Sequence, residues 1–134
     1  MNTIATFKLD ISFEGTEEYK LYALSDNERF YQLDYLKTGY NSTPETQTVL
    51  VSAPHIQSCF EKLERSLIPA RPEFLSGLDG TTYTLEFNEG LNKVLYQWWV
   101  AYPPGYEAIA EFAEELMKAS GTPCRSLVGG EGIK

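Results

Sequence analysis

The residues able to do chemistry are few and scattered. His55 is the single histidine. Cys59 follows it by one helical turn, a thin beginning for a zinc site, which needs further cysteine, histidine or carboxylate neighbours. His55 has the type of a general base, and its plainer reading is a surface residue at a helix start. A serine nucleophile needs a base and a strained turn, and no Gly-x-Ser-x-Gly elbow occurs; Leu75-Ser76-Gly77 reads as a turn. Gly129-Gly130-Glu131-Gly132 is glycine-rich but no helix follows it to receive a phosphate. Asp10, Asp34 and Glu86 fall on strand-like stretches and could pair for acid–base work if strand order brought two together. Alternation points all three away from the core, as on a solvated sheet face. These residues assign no catalytic, cofactor-binding or metal-ligating position, and no cofactor is expected.

The aromatic group Trp98, Trp99, Tyr102 and Tyr106 says more. Adjacent strand residues point to opposite faces. With Val94, Tyr96 and Trp98 inward, Trp99 faces outward beside Leu95 and Gln97. An outward tryptophan is either covered, by the 38–47 loop or by the tail, or offered to a partner, and Trp and Tyr are interface anchors. The partner-facing residues expected on this reading are Trp99, Tyr102, Asp34 and Glu86, with Glu107 and Glu111 of the last helix.

These residues need elements to hold them. Between Thr81 and Asn88, Tyr83, Leu85 and Phe87 share one face and Thr82, Thr84 and Glu86 the other, the period of a half-buried strand. Asn88-Glu89-Gly90 suggests a three-residue turn, and Leu91–Val100 returns as the partner strand. Pro103-Pro104-Gly105 stops the ladder for want of N–H donors. A helix follows over Tyr106–Met117, with Ile109, Ala113 and Leu116 as its stripe and Phe112 and Met117 beside it. Glu107 and Glu111 sit toward its amino end, where the helix dipole favours negative charge.

Upstream, Ile4–Phe13 alternates cleanly through Phe7, Leu9, Ile11 and Phe13. Glu18–Ser25 is a second strand with blurred alternation, because Leu21 to Leu24 is wholly apolar. Arg29–Lys37 is a third, with Tyr31, Leu33 and Tyr35 inward. Thr38–Gln47 carries loop composition, and Thr48–Val51 suggests a short edge strand. Ser52 reads as an N-cap, with Pro54 in the first turn of a helix. Its stripe is Ile56, Phe60, Leu63 and Leu67, with Cys59 beside it, and Pro69 and Pro72 close it. The expectation is an α+β fold: an antiparallel sheet of five or six strands with two helices packed on it, in the order β-β-β-(β)-α-β-β-α. Residues 1–120 form a single domain and 121–134 a loosely ordered tail.

Composition narrows the partners. At 134 residues the chain is of one-domain size. It carries 19 acidic against 11 basic residues, a net charge of −8. Phosphate binding rests on clustered lysine and arginine, so neither direct nucleic acid nor an anionic membrane is an expected partner. The two cysteines lie far apart and neither has a metal-spaced companion, which fits free thiols in a reducing, cytoplasmic setting. No basic segment followed by an apolar run opens the chain, and no stretch approaches the ~20 apolar residues of a membrane span.

The block from Leu78-Asp79-Gly80-Thr81-Thr82-Tyr83 through Tyr96-Gln97-Trp98-Trp99 to the Pro-Pro-Gly helix resembles a pattern in small stand-alone bacterial α+β proteins. Many of those are uncharacterised, and some are similar to immunity proteins of toxin–immunity pairs. The resemblance spans about forty residues and carries over no catalytic site. It implies a small acidic protein that binds a cognate toxin and covers its basic surface. A second reading stays open: a small-ligand binder or enzyme with a tyrosine-lined pocket between sheet and helices.

Overall fold

A computed structural model describes residues 2–39, 42–71 and 80–121. The elements are β1 (Asn2–Ile11), β2 (Gly15–Ala23), β3 (Phe30–Gly39), β4 (Glu45–Ser52), α1 (Ala53–Glu64), β5 (Thr81–Glu89), β6 (Asn92–Trp99) and α2 (Glu107–Ala119). The strands form one six-stranded sheet in the order β4-β3-β2-β1-β5-β6, and every pairing is antiparallel. This is the α+β architecture expected from the sequence, with its element order.

The alternating strands dictate a two-sided sheet. Register places Tyr35, Tyr19, Phe7, Leu85 and Tyr96 in one transverse row, and Leu9, Tyr83 and Trp98 in the next. This face is covered by both helices. From α2, Ile109, Ala110, Phe112, Ala113, Leu116 and Met117 are buried, and α1 adds Ile56. Each large side chain taken out of water in this way contributes about 1.5–3 kcal/mol. Phe60 of α1, Phe87 of β5 and Phe112 of α2 form a ring triangle with centroids 4.9–5.8 Å apart. Phe7 is the hub of the strand layer, stacked on Tyr19, Tyr83 and Trp98 at 6.2–6.3 Å.

Several boundaries differ from expectation, each for a physical reason. β4 begins at Glu45 rather than Thr48, so part of the expected loop is edge strand. Its polar opening, Glu45-Thr46-Gln47, has no hydrophobic signature because an edge strand's outer end need bury little. Leu67 leaves the helical stripe: α1 ends at Glu64 and Leu67 is 97% exposed. Ser52 stands at the N-cap of α1 with a proline in the first turn, as expected, but makes no side-chain capping bond; it is also the last residue of β4. The β5–β6 turn has two residues, not three, because Glu89 pairs with Asn92. Gly90 there has φ 61°, the positive value that a type II′ turn needs at its first central position. Pro72, the connector up to Asp79, Cys124 and all of the expected tail beyond Gly121 lie outside the described residues.

Candidate functional site

The side of the sheet away from the helices carries three of the six expected partner-facing residues, Asp34, Glu86 and Trp99. One transverse row of this open face runs Thr48, Asp34, Lys20, Thr6, Glu86, Leu95. Asp34 and Glu86 therefore share a row but stand three strands apart, about 14 Å at normal strand spacing. Asp10 lies four residues along β1 from the register position of Glu86, about 13 Å away. No two of these three carboxylates can share a proton. Each has its own neighbour instead. Asp10 pairs with Lys8 at 3.8 Å and Glu86 with Lys93 at 3.3 Å. Asp34 accepts from Gln32 Nε2 at 3.0 Å and Thr48 Oγ1 at 2.9 Å.

Trp99 occupies the same face at the β6 edge, opposite Thr82. It is half-buried. Its indole rests on Gly80, where an added Cβ would lie 3.1 Å from Nε1. The described part of the 38–47 segment does not cover it. Its described residues lie on β3, on β4 and in the connection between them, and β3 and β4 stand four and five strands across from β6, at least about 19 Å. Tyr102 packs against the core from its rim. Glu107 and Glu111 are exposed on α2, on the helical side of the sheet. The expected residues thus divide: Trp99, Asp34 and Glu86 share the open face, while Glu107 and Glu111 belong to the opposite side.

The Trp99 end of the sheet holds two residues in left-handed backbone that are not glycine. Phe13 has φ 66° and Val100 φ 65°. The Glu14 N–H donates to Ile11 O at 3.1 Å, which puts Phe13 at the third position of a turn that favours glycine or asparagine. The Ala101 N–H donates to Trp99 O at 2.7 Å, so Val100 is the centre of a γ-turn of the rare, strained hand. A β-branched residue there is a true outlier. Gly80 links the two turns: Ser12 Oγ donates to Gly80 O at 2.7 Å, and the Gly80 N–H donates back to Ser12 Oγ at 3.1 Å. Phe13 itself is 80% exposed. Alternation marked Phe13 as one more inward residue. The turn that follows β1 turns it out, and no sequence pattern announced this.

A second constellation lies on the helical side. A groove of about 240 Å³ between α1 and α2 is lined by His55, Cys59, Lys62, Glu111 and Glu115, among others. His55 and Cys59 are one turn apart on α1 and share a face. His55 Nε2 lies 3.4 Å from Glu115 Oε2. One ligating atom from each of His55, Cys59 and Glu115 lies within 4.8 Å of the other two. His55 is exposed at the helix start, as its plain reading has it, yet the structure adds the carboxylate neighbour that the sequence could not show. Cys59 is half-buried. Burial first, and then Glu115, pushes its thiol above the ordinary value, with Lys62 opposing. A thiol held protonated is poorly placed to attack, because the thiolate is the nucleophile.

The tyrosines Tyr19, Tyr35, Tyr83 and Tyr106 are buried in the core. Neither the interhelical groove nor a second cleft of about 240 Å³ near Gly15 and Lys37 has a tyrosine in its lining. No described helix is long and apolar enough to cross a membrane. Comparison with known protein families, with curated proteins and with solved structures returns no match.

Proposed function

We propose that this domain works by binding another protein through the open face of its sheet, as a cytoplasmic immunity protein covering a basic surface of a toxin would. The observation that carries the reading is the Phe13–Gly80–Trp99 end of the sheet. There a largely exposed phenylalanine is held in strained backbone, next in sequence to the Ser12 that bonds Gly80, the glycine on which a half-buried tryptophan rests. Strain of this kind costs of order 1–3 kcal/mol per residue and gathers at functional sites. Aromatic side chains are the usual anchors of an interface. Asp34 and Glu86 extend the same face with fixed carboxylates, and the net charge of −8 favours a basic partner. Such charge acts mainly by steering encounter. Affinity capture from the native host with the immobilised domain tests the proposal. A basic protein retained by the wild-type chain and lost by a Phe13→Ala/Trp99→Ala chain supports it. Recovery of metabolites alone, with no protein partner, contradicts it.

A further inference from the structure

We infer that His55, Cys59 and Glu115 form a zinc site that ties α1 to α2. The geometry comes first. Two ligands held about 2.0–2.1 Å from zinc at tetrahedral angles lie about 3.3–3.4 Å apart, and His55 Nε2 and Glu115 Oε2 are 3.4 Å apart. The three ligating atoms already lie within 4.8 Å of one another. Closing the sulfur onto the metal takes a shift of about 1 Å, within reach of one Cys59 torsion and of a His55 side chain that is 44% exposed.

The donor set selects the metal. Calcium and magnesium take oxygen ligands, whereas nitrogen, thiolate and carboxylate together suit zinc. Charge closes as well: a neutral imidazole, a thiolate and a carboxylate balance the two positive charges of the ion. Lys118 Nζ lies 3.9 Å from Oε1 of Glu115, so the oxygen that faces His55 is the one not turned toward the lysine. Outer partners of this kind orient a ligating carboxylate. An ion pair between His55 and Glu115 alone would explain two of the three groups, but not a thiol brought to the same point. All three residues line the groove, from which water can complete a three-ligand site.

The test uses the reduced, metal-stripped full chain with Zn²⁺ in competition with a chromophoric chelator, and with Co²⁺ as a spectroscopic probe. One ion per chain is expected, with a thiolate-to-cobalt charge-transfer band. Cys59→Ser removes the band. His55→Gln and Glu115→Gln each weaken zinc binding at least about tenfold, the lower end of what even an outer-shell loss costs. Cys124→Ser leaves binding and band unchanged. Absence of stoichiometric binding overturns the site, as does a band that survives Cys59→Ser or one that Cys124→Ser removes. Alkylation of Cys59 in the Cys124→Ser chain gives a readout without a ligand variant. Zinc is expected to slow it, and an unchanged rate contradicts the site.

Discussion

The side-chain amide of Gln47 donates to the main-chain oxygen of Ser120 at 2.6 Å. The bond fastens the edge strand β4 to the carboxyl end of α2. It explains why a polar residue stands on the covered face of the sheet, in the same row as Tyr35 and Tyr19. Gln47 is itself exposed, so its loss lets water reach the Ser120 carbonyl. Gln47→Ala is therefore expected to lower stability by about 0.5–1.5 kcal/mol, the net worth of one hydrogen bond. Urea denaturation with an unchanged m-value checks this.

The two exposed and buried phenylalanines of β1 and its turn should behave oppositely. Phe7 is fully buried and touches three rings, so Phe7→Ala should cost about 3–5 kcal/mol. Phe13→Gly should leave stability unchanged or raise it by up to about 1 kcal/mol, because glycine accepts the left-handed backbone without the Cβ penalty. Thermal and urea unfolding of both variants measure the contrast. A large loss in Phe13→Gly would mean that the side chain packs in the fold rather than facing solvent.

Alkaline pH provides a third test. Burial, with Glu17 next, pushes the Tyr35 hydroxyl well above its ordinary value of 10.0. Burial, with Tyr96 next, also raises Tyr106. In the unfolded chain both ionise near the ordinary value; in the folded chain each holds its proton to higher pH. The native state then binds more protons than the unfolded state above about pH 10, and stability falls as pH rises. Below that pH their contribution is fully present. Urea midpoints should be insensitive to these two groups from neutrality to about pH 10 and decline above it. The decline should be smaller in a Tyr35→Phe/Tyr106→Phe chain when each is compared with its own neutral-pH value.

The fold was legible where hydrophobic period and burial coincide. Phe7 and Leu9 in β1, and Tyr83 and Leu85 in β5, alternate because one face of each strand is covered. The start of β4 was not legible, since its exposed residues Glu45, Thr46 and Gln47 are held by edge pairing and by the Gln47 bond to Ser120 rather than by apolar surface. Leu67 misled because a residue in helical register past the last turn looks the same in sequence as one within it. The site was less legible than the fold. Trp99 could be assigned an outward face from the pleat alone. Its seat on Gly80, the Ser12–Gly80 link to the Phe13 turn and the meeting of His55 with Glu115 depend on pairings between segments far apart in the chain, and local pattern carries no record of these.

Protein binding through the open face is tested by the affinity of the captured partner for wild-type and Phe13→Ala/Trp99→Ala chains, followed across ionic strength. Binding through this face predicts a dissociation constant at least about tenfold higher for the variant, as expected for the loss of anchor residues each costing more than about 1 kcal/mol. It also predicts an association rate for the wild-type chain that falls as salt rises. A variant that binds as tightly as the wild type, with association indifferent to salt, would contradict it.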